Sequence, residues 1–233
     1  MKTMLQIIQS ATGEMGLSVP NYVAGNTTSD TVQMLALLNG LGDDLMREFD
    51  WQALVKVYSW ASTGTETYSL PSDYDRQLDR THYDSSKKWE MLGPESPQQW
   101  AFLTNSYIST GPRARYRIFG NKIHIWPATI SGDTLTFEYV SNAWATDSGG
   151  TAKSSFTVDT DTSIFPDRLM ITGLKLRYFS VKGFNTQEFQ AEFMRYLSVA
   201  KSDDQGSPVL SFAPKMSSVL IGYENIPDTN YGI

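Results

Sequence analysis

Apolar residues recur at helical spacing at both ends of the chain and at strand spacing in its middle. In the first predicted helix they repeat every three or four residues, at Met4, Ile7, Ile8, Ala11 and Met15. Thr3 precedes this run, and Gln6 stands three residues after Thr3, which is the pattern of a capping box. Gly16 is a natural C-terminal end. The chain is therefore predicted to begin with a helix.

A second helix is predicted after a loop that contains proline and glycine. We expect Asp30 to cap it, with Gln33 at the reciprocal position, and the helix to end near Trp51. Its predicted apolar face consists of Val32, Leu35, Leu38, Leu41, Leu45 and Phe49. Gly40 and Gly42 weaken the local helix propensity, so they indicate either a kink or close packing of a neighbour, and we favour packing.

The middle of the chain has the spacing of strands and turns. A strand at 54–60 is predicted to form a hairpin with Thr67–Leu70. Gly120–Asn121 lies between two further apolar runs and predicts a tight hairpin turn. Ser96 before a proline predicts the start of a short helix. The small, polar stretch Asn142–Ser155 is predicted to be a loop or flexible tip.

Helical spacing returns in the last third of the chain. A helix is predicted over Asp167–Lys182, closed by Gly183, and a final helix is predicted after Thr186 as its cap. These patterns predict an α+β fold in which the N- and C-terminal helices form a helical bundle, with a central antiparallel β-rich module and an extended C-terminal arm. The predicted units are N-terminal helices at 1–52, the β-rich module at 53–155, C-terminal helices at 156–205 and an extended arm at 206–233.

The predicted arm, Gly206–Ile233, has no periodicity, and its prolines break any helix. It nevertheless keeps many apolar and aromatic residues, unlike an ordinary disordered tail. Two interpretations stay open: the arm folds back over its own subunit, or it docks on a partner, for example by adding Val219–Tyr223 as a strand. Fully extended, it would span on the order of 90 Å. The candidate partner-binding residues are Leu210, Phe212, Val219, Ile221, Tyr223, Ile226 and Tyr231.

The composition limits the classes of function that the protein can have. The 233 residues carry a formal net charge of -6, with no cysteine and two histidines. The lack of cysteine excludes disulfide frameworks and thiolate zinc sites, and it fits a reducing cytoplasm or a particle assembled there. Arg113, Arg115 and Arg117 alternate along a predicted strand, which favours a solvated strand face over a nucleic-acid-binding patch. No apolar run reaches the length of about 20 residues that a membrane span needs.

Candidate chemistry is sparse. Phosphate-binding loops, dinucleotide fingerprints and metalloprotease or hydrolase motifs are absent from the sequence. His124 is predicted to be a sheet-face histidine with an ordinary partner, and His82 beside aspartates is a weak catalytic signal. Asp73 and Asp75 would be the carboxylates of a cell-wall hydrolase, but nothing indicates their activation. We therefore expect that the protein is not an enzyme, and that it has no catalytic, cofactor-binding or metal-binding residues.

Seven segments, in this order, resemble one known family. They are MGL, LALLNGLGDDLMREFDW, SLPSDYDR, GPESPQQW, YRIFGNKIHIWPA, GDTLTFEYVS and FTVDTDTSIFPDRLMITGLKLRYFSVKGF. This order is similar to that of the head–tail adaptor (connector) proteins of short-tailed bacteriophages and prophages, often labelled tail tubular protein A-like. The resemblance covers residues 1–201, and none of its motifs is catalytic.

The resemblance implies a structural role. Such adaptors form a ring, usually of twelve copies, beneath the portal, where they extend the channel for double-stranded DNA and anchor the tail nozzle. It implies a protein of the virion neck that is assembled in the host bacterial cytoplasm, with Gly206–Ile233 as the portal-docking arm. The alternatives are another phage tail or baseplate structural subunit, or a carbohydrate-binding module.

Overall fold

The computed structural model describes residues 1–105 and 113–205, which form helices at both ends and a β-rich middle. The helices are α1 (Met4–Met15), α2 (Ser29–Glu48), α3 (Pro97–Asn105), α4 (Asp167–Lys182) and α5 (Gln187–Gln205). The strands are β1 (Val55–Ala61), β2 (Thr67–Ser69), β3 (Tyr74–Gln77), β4 (Tyr83–Asp84), β5 (Trp89–Glu90), β6 (Arg115–Phe119), β7 (Lys122–Trp126), β8 (Thr134–Ser141), β9 (Ala145–Thr146), β10 (Ala152–Lys153) and β11 (Thr162–Ser163). The predicted α+β class is confirmed.

The end signals of α1 and α4 are confirmed in detail. The Thr3 hydroxyl accepts a hydrogen bond from the Gln6 backbone N–H at 3.3 Å, and the Gln6 side chain accepts one from the Thr3 N–H at 3.1 Å. This reciprocal pair satisfies two N–H groups that the helix leaves without partners. Gly16 and Gly183 end α1 and α4 with φ near 70° and 79°, the left-handed region that glycine adopts without steric cost.

The predicted start of α2 was wrong, and its predicted apolar face was right in part. The helix begins at Ser29, with Thr28 at the N-cap position and no side-chain cap bond. Leu38, Leu41 and Leu45 are buried as predicted. Leu35 and Phe49 are partly buried against the core, whereas Val32 is half exposed. The buried residues of α2 are Thr31, Met34, Leu38, Leu41, Gly42, Leu45 and Met46. Helix α2 packs on α4, and this tertiary contact decides which of its residues are covered.

Helix α4 lies at the centre of the helical layer and packs against α1, α2 and α5. Its own buried residues include Leu169, Met170 and Leu174, all within a few per cent of complete burial. A charge network reinforces the packing: Glu14 of α1 pairs with Lys175 at 2.8 Å and with Arg168, which also reaches Glu192 of α5 at 3.1 Å. The N- and C-terminal helices thus share one core.

Two antiparallel sheets pack face to face in the β module. In the first, β8 pairs with β1 on one side and with β3 and β4 on the other, and β5 pairs with β4. In the second, β7 lies between β2 and β6. The core between them contains Met91, Tyr116, Ile123, Ile125, Leu135, Phe137 and Tyr139. The Gly120–Asn121 turn joins β6 to β7 with positive φ at both residues, as the hairpin signal predicted.

The predicted partner of β1 was wrong. Strand β2 pairs with β7, and β1 pairs over its whole length with β8, from Val55 opposite Val140 to Ala61 opposite Thr134. The chain crosses from one sheet to the other after Ala61. The Ser62 hydroxyl contacts the Tyr68 hydroxyl at 2.9 Å, which holds this crossing in place. A short turn is a hairpin signal only when both strands belong to the same sheet.

The stretch Asn142–Ser155 is not a flexible tip. It contains β9, which pairs with β10 and β11 in a third small sheet. Trp144 in this stretch is 0% exposed and inserts into the helical layer against Gly42 of α2. Its indole Nε1 donates to the Asp43 carboxylate at 3.0 Å. Gly42 therefore admits a close neighbour, as we favoured, although that neighbour is an indole ring and not a helix.

We predict that Gly42→Ala destabilises the fold, because a Cβ at this position would overlap the Trp144 ring. Overpacking of this kind costs about 1–3 kcal/mol of the free energy of unfolding, which urea denaturation measures. Gly13→Ala in α1 is the matched control, since a Cβ there meets nothing within 4 Å. The control should be neutral or stabilising by up to about 1 kcal/mol. Equal stabilities for the two variants would contradict the prediction.

Candidate functional site

The C-terminal end of α5 is tied to the start of the β module. The Asp204 carboxylate accepts hydrogen bonds from the backbone N–H groups of Gln52 at 2.6 Å and Ala53 at 3.3 Å. One turn earlier, Lys201 pairs with Glu48 of α2 at 3.0 Å. The end of α5, from which residues 206–233 depart, is therefore fixed beside Gln52 and Ala53, just before β1. We call this place the exit point.

The residues predicted to dock on a partner lie outside the described part of the chain. They are Leu210, Phe212, Val219, Ile221, Tyr223, Ile226 and Tyr231. Their docking stays a prediction, and only the exit point from which they depart is described. The role of Asp204 was not predicted from the sequence. The available signal was an aspartate at a helix C-terminus, where the helix dipole disfavours an anion unless other groups stabilise it.

The outer face of the β6–β7 hairpin is positively charged and aromatic. The Arg117 guanidinium lies 4.8 Å from the Phe119 ring centre, and Phe119 stacks on His124 at 3.8 Å. Arg115 lies on the same face and pairs with Glu95 at 2.6 Å. We call Arg115, Arg117, Phe119, Lys122 and His124 the hairpin surface. Aromatic and arginine side chains are enriched at protein interfaces, so this surface is suited to contact with an acidic partner.

His124 has the ordinary partner that the sequence predicted. Its Nδ1 lies 3.1 Å from the Thr67 hydroxyl of β2, across the second sheet. Partial burial lowers the pKa of His124. At neutral pH the ring is therefore mainly uncharged and acts as a stacking platform for Phe119.

His82 lies inside the sandwich and is 1% exposed. Its ring stacks on Tyr116 of the second sheet at 3.7 Å and on Phe137 of the first at 4.8 Å. Neither ring nitrogen has a hydrogen-bond partner among the described residues. Burial lowers the pKa of His82 to about 3. His82 is a neutral spacer between the two sheets, and a substrate has no access to it.

Asp73, directly before β3, links β1 and β8. Its carboxylate accepts hydrogen bonds from Lys56 of β1 at 2.6 Å and from Tyr139 and Ser141 of β8, each at 2.8 Å. Partial burial raises the pKa of Asp73, but the bonds from Lys56, Ser141 and Tyr139 outweigh it and lower the pKa to about 2. Asp73 therefore stays ionised and cannot deliver a proton as a general acid at neutral pH. Asp75 is paired with Arg76 at 2.8 Å. Both carboxylates are engaged in structural contacts.

Within residues 1–105 and 113–205, no three or more histidine, aspartate and glutamate side chains are grouped as metal ligands. None of the helices over those ranges is long and apolar enough to cross a membrane. The candidate surfaces on the described residues are the exit point and the hairpin surface.

The family of the chain follows from a match over most of its sequence. The family model described as SU10 adaptor protein matches residues 2–211. The chain belongs to the SU10 adaptor protein family. The resemblance to phage head–tail adaptors is thereby confirmed, and the adaptor is a structural protein of a phage particle. No curated protein matches the adaptor. The family match extends past α5 to residue 211, so it includes the exit point, and residues 212–233 lie beyond the match.

We predict that His82→Phe removes part of the acid sensitivity of the adaptor. The folded-state pKa, about 3, lies below the unfolded value of 6.5, so the unfolded state binds the proton first. Stability should fall by up to about 1.4 kcal/mol per pH unit as pH drops through this window. Phenylalanine keeps the stack but cannot be protonated, so urea midpoints of the variant should vary less with pH.

The control for this experiment is His124→Phe, which removes the other, more exposed histidine. It should keep most of the acid dependence between pH 6.5 and pH 3, because His82 is still present. An unchanged slope in His82→Phe together with a flattened slope in His124→Phe would show that the buried ring is not the responsible group.

Proposed function

We propose that the adaptor forms a ring, of twelve copies, between the portal of a phage head and the tail nozzle. The observation that supports this most is the family match over residues 2–211, which makes the chain a phage adaptor protein. Copies of one chain close into a ring when two different surfaces of each copy meet head to tail around an axis. The basic hairpin surface and the acidic remainder of a chain with net charge -6 offer such a complementary pair.

The arm is the proposed contact with the portal. It begins at the exit point, where Asp204 binds the backbone of Gln52 and Ala53. A fixed departure point limits where the arm reaches, and this lowers the entropy that is lost on docking. The β-rich module is the proposed platform for the nozzle and for neighbouring copies.

The proposed ring carries double-stranded DNA through its centre without binding it tightly. A net charge of -6 repels phosphates at long range. Many lysine and arginine side chains of the described residues are already paired with carboxylates, for example Lys56 with Asp73, Arg115 with Glu95 and Lys153 with Asp161. Such pairing leaves fewer free cations to hold the DNA backbone.

We propose further that assembly takes place in the host bacterial cytoplasm and ends in the virion neck. In this sequence of events the adaptor is a monomer until the portal recruits it. A segment that reaches its docked arrangement only on its partner makes assembly dependent on that partner. The arm is proposed to play this part.

Sizing of the purified adaptor tests this proposal. Mass photometry of the adaptor alone should give a species near the subunit mass of 26.1 kDa. Addition of the portal protein from the same phage should give a complex whose mass increment corresponds to a ring, with matching symmetry in class averages from electron microscopy. A stable ring without portal would contradict recruitment, and no complex with portal would contradict the proposed function.

The arm is tested in the full chain. We predict that Phe212→Ser combined with Tyr223→Ser reduces co-purification with the portal at least tenfold, because buried aromatic anchors dominate interface energies. The matched control is Tyr22→Ser combined with Val181→Ser, which removes two exposed apolar side chains from the described surface. The control should bind as the unsubstituted adaptor does. Undiminished binding of the arm variant would contradict the assignment.

A further inference from the structure

Strand β1 forms an open edge of the first sheet. It stands at the end of the strand order, and within the described residues β8 is its only strand partner. The bond from the Ser62 N–H to the Asp133 carbonyl, at 2.7 Å, sets the alternation of the ladder. Even-numbered residues of β1 therefore exchange hydrogen bonds with β8. Odd-numbered residues direct their backbone groups away from it.

The far side of β8 gives the same alternation. The Ser85 N–H donates to the Thr134 carbonyl at 2.8 Å, so even-numbered residues of β8 bond towards β4. Its odd-numbered residues, such as Phe137 opposite Tyr58, then bond towards β1. Two independent bonds thus agree that Val57, Ser59 and Ala61 present their N–H and C=O groups to the open edge.

This edge lacks most of the features that protect sheet edges. It is seven residues long and contains no proline, and Val57 is 68% exposed. Natural sheets shorten, charge, bulge or cover an edge of this kind because it can pair with any extended chain. Lys56 is the one charged residue of β1, and it is bound to Asp73. The geometry therefore indicates that another strand covers this edge.

We propose that Val219–Tyr223 of the same chain adds to β1 as a further strand. The exit point lies three residues before β1, at Gln52, where Asp204 is bound. The linker 206–218 can span up to roughly 45 Å, whereas β1 is roughly 23 Å long. The segment can therefore reach the whole edge and run along it in either direction.

The side chains of the segment suit this position. Tyr58 and Trp60 of β1 are half buried at the margin of the sandwich, where their rings stack on each other at 5.2 Å. In one register, the apolar residues Val219, Ile221 and Tyr223 lie on the same face as these rings and extend the core. Main-chain bonds then supply affinity and the alternate side chains supply register, as in other strand additions.

The segment that pairs with β1 comes from the same chain, and not from a second copy, because the linker 206–218 holds it near this edge. A short flexible linker holds its segment at an effective concentration of about 1 mM near the site, far above the usual concentration of a free subunit. The inference concerns the isolated subunit and stands whether or not the arm later contacts a portal.

Amide hydrogen exchange of the full chain, read residue by residue with NMR, tests the proposal. The N–H groups of Lys56, Tyr58 and Trp60 should exchange slowly because of β8. Those of Val57, Ser59 and Ala61 should also be protected, by the added strand. Rapid exchange of these three odd-numbered amides in the unsubstituted protein would overturn the proposal.

Leu220→Pro combined with Ile221→Pro provides the matched perturbation. Neighbouring N–H groups of a strand point to opposite edges, so one of these two faces β1 in either strand direction, and proline cannot donate a ladder bond. The double proline variant should speed exchange of the three odd-numbered amides at least tenfold and leave the even-numbered ones unchanged. Met216→Pro, in the linker, should change neither set. Odd-numbered amides that are protected but insensitive to the double proline variant would show that something else covers the edge, and would equally overturn the proposal.

A disulfide distinguishes the same chain from a second copy. The chain has no cysteine, so Ser59→Cys combined with Leu220→Cys has a single possible pair within each subunit. Oxidation should give a cross-link of monomer mass on a non-reducing gel, whereas Ser59→Cys combined with Asn230→Cys should form it at least tenfold more slowly. A dimer-mass product, or no difference between the two pairs, would overturn the proposal.

Discussion

The contact of the Trp144 indole with Gly42 holds the helical layer and the β-rich module together. The ring enters the layer at the one type of residue that leaves room for it, and its Nε1 donates to Asp43. Phe156 and Phe165 pack around it with ring centres 4.9 Å and 6.2 Å away. Since Trp144 follows β8 directly, this contact fixes the end of the longest strand relative to α2. The position of the first sheet then follows from the pairing of β8, and the second sheet packs on the first through their shared core.

Local signals predicted local structure well. The capping box at Thr3, the ends at Gly16 and Gly183 and the turn at Gly120–Asn121 all act over a few residues, and each was confirmed. Such signals depend on backbone geometry that neighbouring residues decide alone, so tertiary packing seldom overrides them.

Long-range pairing could not be predicted in the same way. Val55 lies opposite Val140, and the residues near either of them contain no signal that predicts this pairing. Trp144 lies in a stretch of small, polar residues that is typical of loops, and its burial depends on a glycine about a hundred residues earlier. The candidate site follows the same rule, because the link between Asp204 and Gln52 exists only in the folded chain.

The hydrogen bonds that Asp204 accepts from Gln52 and Ala53 have a geometric consequence for any cyclic assembly of this chain. Identical subunits related by one rotation axis repeat every fixed point of their surface at one height and one radius. Because the carboxylate fixes the end of α5 against the module, all C-terminal segments of such an assembly would start from a single circle, at equal angular steps. Their attachment pattern is thus set by the folding of one subunit, before any neighbour arrives.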